Sequence, residues 1–240
     1  MPPIQCIIRL QTQGHERINS MKNLIVFGDS LMQGVIFENN RYRLYHSSLS
    51  DKLAEKDYKL INKSHMGATV KAALPILEKY EGDGEETVAL FEYGGNDCNF
   101  DWQSVAEFYD KDKDVFPKIP EKEFAETYKK AIGIAKEKGM SVAVSSLIPI
   151  DADKFLTTIS KNADGDKILK WLGDISMLSR WQEHYSRIAE DIASSANCRI
   201  IDIRTDFLLS HAFRRLICDD GIHPTREGHE IIADRIASCF

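Results

Sequence analysis

The chain has 240 residues, of which 43% are hydrophobic and 28% are charged, and it contains only 14 glycines and 7 prolines. These values exclude disordered, collagen-like and low-complexity proteins and predict one large folded domain or two small ones. The net charge is −6, from 31 Lys and Arg against 37 Asp and Glu, and without a polybasic stripe it predicts no nucleic-acid partner.

Residues 1–20 lack the basic start, the sustained apolar region and the small-residue cleavage site of a secretory signal. We interpret them as an N-terminal extension, because Met21, Lys22 and the apolar residues that follow form a second candidate start. An upstream tag, alternative initiation and native N-terminal structure all fit this stretch. We expect residues 21–240 to form a single domain.

The cysteines are scattered and odd in number: Cys6, Cys98, Cys198, Cys218 and Cys239. Without a C-x-x-C pair they indicate neither a disulfide framework nor a cysteine zinc site, and we expect a cytoplasmic protein. The longest apolar runs have the length of a strand and fall far short of the ~20 residues that a membrane-spanning helix needs. We therefore predict no membrane span.

Short runs rich in β-branched residues predict five strands, at residues 23–27, 59–62, 87–92, 141–146 and 198–203. Stretches with apolar residues three and four positions apart predict helices at residues 46–56, 70–80, 121–138, 177–194 and 226–238. Thr225 is a candidate N-cap of the last helix. Strands that alternate with helices predict an α/β fold in which a parallel sheet is covered on both faces.

Two connections are longer than this fold requires, at residues 98–120 and 150–176. They carry several aromatic residues, among them Trp102 and Trp171. Such segments form either surface excursions with small clusters of their own or the walls of a site, and long loops in compact domains are often functional. Trp102 and Trp171 are therefore candidate substrate-binding residues.

The segment Gly28-Asp29-Ser30-Leu31 places a serine directly after the first predicted strand. A serine at such a turn can act as a nucleophile, but it can equally cap a helix or bind an anion. The segment is not the G-x-S-x-G elbow of α/β-hydrolases, because Met32 occupies the place of the second glycine. Ser30 by itself leaves its role open.

Two further polar turns follow neighbouring predicted strands. Gly94, Gly95 and Asn96 follow the third strand, where glycine lets the backbone approach a ligand and the asparagine amide can donate hydrogen bonds. Gly67 follows the second strand and could present a backbone N–H. Each segment also has the composition of an ordinary turn.

Asp220 precedes His223 by three residues, just before the last predicted helix. This spacing lets the carboxylate orient the imidazole, which is a useful base near neutral pH. A metal site built from Asp219, Asp220, His223 and His229 is the competing interpretation, although one short acidic segment without a second cluster argues against it.

In a doubly wound sheet of strand order 2-1-3-4-5, ligands bind beyond the carboxyl ends of the strands, between strands one and three. Ser30 follows strand one, Asn96 follows strand three and Gly67 follows strand two, so they would share one crevice. We assume that residues 204–219 return the chain over the sheet and bring His223 to the same place.

These four segments, in this order, resemble the SGNH hydrolases, also called the GDSL esterase and lipase family. Ser30 in GDSL, Gly67 after the second strand, Asn96 in GGND and His223 in DGIH match the four residues that name the family. The resemblance runs from about Met21 to the C-terminus. It implies a three-layer, flavodoxin-like α/β/α catalytic domain with a five-stranded parallel sheet.

The resemblance also implies a role for each residue. Ser30 would be the nucleophile, His223 the base and Asp220 the partner of that base. The backbone N–H groups of Ser30 and Gly67 and the side chain of Asn96 would form the oxyanion hole. No metal and no organic cofactor would be needed.

The implied activity is that of a serine esterase. It would cleave an ester of a small molecule or carbohydrate, with an acetyl or other short acyl group, through an acyl-Ser30 intermediate. An acyltransferase with the same triad and a non-catalytic ligand-binding module on the same fold are the alternatives. Glu92 departs from the family pattern, because an apolar strand residue is expected at its position. The sequence does not indicate the oligomeric state.

Overall fold

A computed structural model of the protein describes residues 21–82, 84–111 and 113–240, so the N-terminal extension and Cys6 lie outside the described residues. The strands in these ranges are β1 (Lys22–Gly28), β2 (Val35–Glu38), β3 (Arg41–Leu44), β4 (Tyr58–Asn62), β5 (Thr87–Glu92), β6 (Ser141–Ser145) and β7 (Arg199–Ile201). Five of them form a parallel sheet in the order β4-β1-β5-β6-β7. The predicted strands and the α/β fold are confirmed.

Helices cover both faces of this sheet. In the described ranges they are α1 (Ser30–Gln33), α2 (Leu49–Ala54), α3 (Ala73–Glu78), α4 (Trp102–Phe108), α5 (Glu121–Glu137), α6 (Ala152–Ile159), α7 (Gly165–Leu172), α8 (Ser176–Ser195), α9 (Arg204–Leu208), α10 (Phe213–Leu216) and α11 (Arg226–Ser238). The helices predicted over 46–56 and 70–80 are shorter than expected, and the second begins as a 3₁₀ turn. Thr225 caps α11, because its Oγ1 accepts a hydrogen bond from Gly228 N at 3.3 Å.

The two faces of the sheet are buried by different helices. On one face, Phe27 and Phe91 stack with ring centroids 5.1 Å apart and pack against Tyr128 of α5. On the other face, Val26 and Leu90 belong to a cluster that includes residues of α11. Because side chains alternate along a strand, consecutive residues of β1 and β5 are buried on opposite faces. This burial fixes the carboxyl ends of β1 and β5 side by side.

A short hairpin of β2 and β3 follows α1, and the sequence analysis did not predict it. Its turn residues Asn39 and Asn40 have φ angles of 53° and 57°, a region that asparagine tolerates better than most residues. Two adjacent asparagines directly after a short apolar run are the signal that could have revealed it. The hairpin brings Tyr42 against His223, with ring centroids 5.3 Å apart.

Both long connections contain helices that the sequence analysis did not assign. Val105 and Ala106 of α4 pack with Ile168 of α7 in a small cluster separate from the two main cores. Partly buried aromatic residues surround this cluster, including Trp102 and Trp171. The connections therefore pack against each other, and both contribute to the wall of a cavity beside the sheet.

Within the described ranges, no helix combines the length and the apolar character needed to cross a membrane. The cysteines of these ranges, Cys98, Cys198, Cys218 and Cys239, are all free thiols.

Candidate active site

Ser30 lies at an abrupt turn between β1 and α1. It is the first residue of α1 and only 6% exposed. Asp29 caps this helix, because its Oδ1 accepts a hydrogen bond from Leu31 N at 2.9 Å. The helix ends after one turn at Gly34, whose φ is 88° and where a Cβ would lie 2.3 Å from Tyr45 O. These constraints hold the serine hydroxyl at the carboxyl end of β1.

The loop before α11 holds His223 against Asp220. His223 Nδ1 lies 2.5 Å from Asp220 Oδ2, and Asp220 Oδ1 accepts hydrogen bonds from the backbone N–H groups of Ile222 and His223. The turn between them requires Gly221, whose φ is 84° and where a Cβ would lie 2.3 Å from Phe155 N. Asp220 and His223 are almost fully buried, at 0% and 3% exposure. The loop therefore fixes the carboxylate on the imidazole.

Ser30 and His223 meet although 193 positions separate them in the chain. Ser30 Oγ lies 2.9 Å from His223 Nε2. Residues 204–219 return the chain to this point as α9, α10 and the segments that join them. Ser30, His223 and Asp220 thus form one hydrogen-bonded chain, the arrangement of a nucleophile, a base and an orienting carboxylate.

Asn96 is held beside Ser30 by the residue that precedes the serine. Asn96 Nδ2 donates a hydrogen bond to Asp29 Oδ2 at 2.8 Å. A side-chain amide carries two donor hydrogens, so the second one is available to another acceptor. Asn96 and Ser30 line the same cavity.

Gly67 lines this cavity from the turn after β4. Its φ is 74°, a conformation that glycine adopts without strain. Two hydrogen bonds hold the turn in place: His65 N donates to Gly28 O at 3.2 Å, and Lys118 Nζ donates to Gly67 O at 3.1 Å. The turn is therefore fixed against the carboxyl end of β1, next to the serine.

Three buried carboxyl groups surround the ends of β1 and β5: Asp29, Glu92 and Asp97. Burial raises the pKa of Asp29 to about 6 and that of Asp97 to about 7. Burial, together with the two neighbouring aspartates, raises the pKa of Glu92 well above its usual range. Neither carboxyl oxygen of Glu92 has a hydrogen-bond partner in the described part of the chain. Burial in this position therefore favours the uncharged form of the Glu92 side chain.

The predicted site residues converge on one cavity of about 550 Å³, and those that line it are Ser30, Gly67, Asn96 and His223. Asp220 lies behind His223, bonded to its far nitrogen. The structure therefore brings together all five residues that the sequence analysis assigned to the catalytic site.

Both candidate substrate-binding tryptophans, Trp102 and Trp171, line this cavity. Phe100 packs against both rings, with centroids 5.6 Å and 5.1 Å away. Tyr42 of the hairpin and Trp181 of α8 are among the other lining residues, and neither was predicted from the sequence. The paired asparagines of the hairpin turn could have pointed to Tyr42, whereas nothing in the helical pattern distinguishes Trp181 from a core residue.

The residues of the competing metal-site interpretation do not converge. The Asp219 side chain is 95% exposed. His229 Nε2 lies 3.0 Å from Val35 O, and burial lowers the pKa of this imidazole to about 4. Among the residues that the structure describes, no group of three or more His, Cys, Asp or Glu side chains could hold a metal ion.

Both the sequence and the fold of this chain are similar to those of known proteins. Residues 26–231 match the family described as GDSL-like Lipase/Acylhydrolase. A comparison with curated proteins found no match.

Solved structures with a similar fold include a catalytic mutant of an acetylxylan esterase from Geobacillus stearothermophilus, with a TM-score of 0.61 at 16% identity, covering 92% of this chain and 94% of that one. A lipase/acylhydrolase from Enterococcus faecalis gives a TM-score of 0.53 at 17% identity, covering 91% and 94%. A member of the lipolytic protein G-D-S-L family from Veillonella parvula gives 0.56 at 16% identity, covering 91% and 98%. At 16–17% sequence identity, these similarities show a shared fold and nothing more specific.

Proposed function

The chain belongs to the GDSL-like lipase/acylhydrolase family and is a serine hydrolase of ester bonds, and we propose that it works through an acyl-Ser30 intermediate. The substrate is an ester of a small molecule or carbohydrate, since a cavity of about 550 Å³ matches a small ligand. The observation that carries the mechanism is the hydrogen-bonded chain from Ser30 through His223 to Asp220.

In the first step, Ser30 Oγ attacks the carbonyl carbon of the ester while its proton passes to His223 Nε2. The 2.9 Å contact places the two atoms within proton-transfer distance. Asp220 accepts a hydrogen bond from Nδ1–H, which leaves Nε2 as the free base and stabilises the imidazolium that forms.

The carbonyl oxygen gains negative charge during this attack. The backbone N–H groups of Ser30 and Gly67 and the second amide hydrogen of Asn96 donate to it. Because Asn96 is already held by Asp29, this donor needs little reorganisation as the charge develops.

His223 then gives its proton to the alcohol, which leaves, and the acyl group remains on Ser30. A water molecule repeats the sequence in the second half: it loses a proton to His223, attacks the acyl carbon and releases the carboxylic acid. Ser30 recovers its proton from His223, so the enzyme returns to its starting state.

Fluorophosphonate labelling followed by peptide mapping tests this proposal. We expect a covalent adduct on Ser30 in the wild-type protein and none in Ser30→Ala. Absence of an adduct in the folded wild-type protein would favour a non-catalytic ligand-binding module. An acyltransferase would label in the same way, but would pass the acyl group to an added alcohol or amine in preference to water, which product analysis distinguishes.

The compartment proposed from the sequence is the cytoplasm. The thiols of Cys98, Cys198, Cys218 and Cys239 support it, because they are free and a reducing compartment keeps them so.

A further inference from the structure

Much of the wall of the active-site cavity is made of hydrocarbon and aromatic side chains. The two long connections and α8 supply it, with Phe100, Trp102, Phe155, Trp171, Leu172 and Leu178 as its main members. A ligand group that lies against this wall is surrounded mostly by carbon atoms.

Several polar groups of the wall are already used within the protein. Trp102 Nε1 donates to Asn99 Oδ1, and Trp181 Nε1 donates to Cys98 O, each at 2.9 Å. Gln182 is bonded at both ends, to Ile148 O through Nε2 and to the guanidinium of Arg204 through Oε1. Sugar hydroxyls brought against this wall would lose water and regain few hydrogen bonds, which is unfavourable.

The charges of the side chains that line the cavity also favour an uncharged, apolar ligand group. Among the described residues that line the cavity, none is a Lys, Arg or Glu. Its carboxylate, Asp29, is engaged by Leu31 N and Asn96 Nδ2. A phosphate or carboxylate on the substrate would find no cation in the wall to pair with.

The rim of the cavity is apolar as well as exposed. Phe116, Met66 and Tyr42 line the cavity and are 65%, 50% and 48% exposed. Exposed apolar side chains that continue into an apolar cavity mark a path for an apolar ligand.

We propose that this cavity takes an uncharged hydrocarbon group of the ester, a chain of about six or more carbons or an aromatic ring, in preference to an acetyl group on a sugar. The inference rests on the proposed esterase function and narrows its substrate class. If the hydrocarbon belongs to the acyl side, it takes the place of the short acyl group expected from the sequence. The hydrocarbon can belong to the acyl or the alcohol side of the ester, and the experiment separates the two.

The test measures kcat/KM on three sets of esters, each corrected for the hydroxide-catalysed rate. The first varies the acyl chain from acetyl to octanoyl on a constant p-nitrophenol. The second varies the alcohol from methyl to hexyl and benzyl on a constant acetyl group, and the third consists of acetylated xylose and xylo-oligosaccharides.

We expect kcat/KM to rise by at least about 100-fold along the first or the second set, since each buried methylene contributes about fourfold. A rise in the first set assigns the cavity to the acyl group and a rise in the second assigns it to the alcohol. Flat series, or preference for the acetylated sugars, would overturn the inference.

A matched pair of variants on α7 links the preference to the cavity. Leu172 lines the cavity, whereas Leu169, one turn earlier, lies outside the lining and is 37% exposed. Within the ester set that responds to chain length, the ratio of kcat/KM for the longest ester to that for the shortest should fall at least about tenfold in Leu172→Trp, because the added bulk fills the cavity. In Leu169→Trp this ratio should stay unchanged. Equal ratios in the two variants would contradict the proposal.

If Leu172→Trp does not fold, Trp171→Ala serves instead, because it enlarges the cavity and should shift the optimum to a longer chain. An unchanged optimum in this variant would also contradict the proposal. The Ser30→Ala variant distinguishes a failure of the proposed substrate class from a failure of the proposed esterase mechanism. Ester hydrolysis that depends on Ser30 but shows no chain-length preference would overturn the substrate class alone, whereas hydrolysis that survives in Ser30→Ala would overturn the esterase mechanism.

Discussion

The Asn96 side-chain amide donates a hydrogen bond to Asp29 Oδ2 at 2.8 Å, so a residue after β5 is bonded to the residue that precedes the serine after β1. The same carboxylate caps α1 through Leu31 N. Asp29 therefore positions both the turn that carries Ser30, the proposed nucleophile, and Asn96, the proposed oxyanion donor. A change in either one is expected to affect the other.

Replacing Asn96 by Ala should lower kcat by roughly 10²–10³ and change KM less, because a donor aimed at the oxyanion matters most in the transition state. Asn96→Asp should be at least as damaging, since it places a second carboxyl group against Asp29. Steady-state kinetics on one preferred ester provide the measurement. A loss confined to KM would make Asn96 a ground-state binding residue.

Ser30→Ala and His223→Ala should each remove nearly all ester hydrolysis, and the double variant should lose little more than either single one. The two groups act on the same proton transfer, so their effects are not additive. Circular dichroism and thermal unfolding should show that all three variants are folded. Wild-type kcat in folded Ser30→Ala would show that another residue is the nucleophile.

Asp220→Asn should lower kcat by up to roughly 10⁴, the loss found for the equivalent change in a serine protease triad, because an amide favours the wrong imidazole tautomer. Asp219→Asn is the matched control. Asp219 is the neighbouring residue, but its side chain is 95% exposed and does not contact His223. The two variants are compared by kcat on the same ester, and similar losses in both would exclude a specific role for Asp220.

Glu92→Gln should make the stability of the protein less dependent on pH. The pKa of Glu92 is raised in the native state, so its contribution is fully present below the unfolded value, near 4.5, and is lost as pH rises above it. A neutral amide at this position removes this loss, so the variant should gain stability relative to wild type as pH rises above about 4.5, by up to about 1.4 kcal/mol per pH unit, until the pH reaches the raised pKa of the native state.

Denaturant unfolding at several pH values measures this effect. Glu107→Gln is the control, because Glu107 has a 65% exposed side chain on α4 and should leave the pH dependence unchanged. Parallel curves for wild type and Glu92→Gln would mean that Glu92 is ionised in the folded protein.

Gly221→Ala should destabilise the protein and reduce activity. A Cβ here would lie 2.3 Å from Phe155 N and 2.7 Å from Asp151 O, in addition to the strain of a φ of 84°. Gly139→Ala isolates that strain, since its φ is 80° and a Cβ would meet nothing within 4 Å.

Backbone strain of this kind costs about 1–3 kcal/mol, so Gly139→Ala should lose an amount in this range and Gly221→Ala should lose more. Chemical unfolding measures both losses. Equal losses would show that the loop before α11 can move away from α6 at no cost.

Local sequence patterns predicted those structural features that depend on strong interactions between neighbouring residues. Thr225 caps α11 because its side chain reaches Gly228 N three residues on, and the strand at 87–92 follows from a run of residues buried on both faces. The hairpin was missed although its cause is also local, because Asn39 and Asn40 lack the glycine that marks most two-residue hairpin turns.

The protonation behaviour of Glu92 could not be predicted from the sequence. Its position in an apolar strand pattern marked it as unusual, but its missing partners and raised pKa depend on which groups pack around the end of β5. The position of Trp181 in the cavity wall could not be predicted from the sequence either. Its helix was predicted, but the cavity beside that helix forms only when both long connections pack against each other.

By itself the sequence determined the alternation of strands and helices and the identity of the residues at the strand ends, because hydrophobic periodicity and turn chemistry act over a few neighbouring residues. It also placed Asp220 within reach of His223, since three residues span one turn. Only the tertiary structure decided that Ser30 Oγ and His223 Nε2 lie 2.9 Å apart and that the space beside them is apolar. Both properties depend on contacts between segments far apart in the chain, and the packing of the two sheet faces and of the long connections sets those contacts.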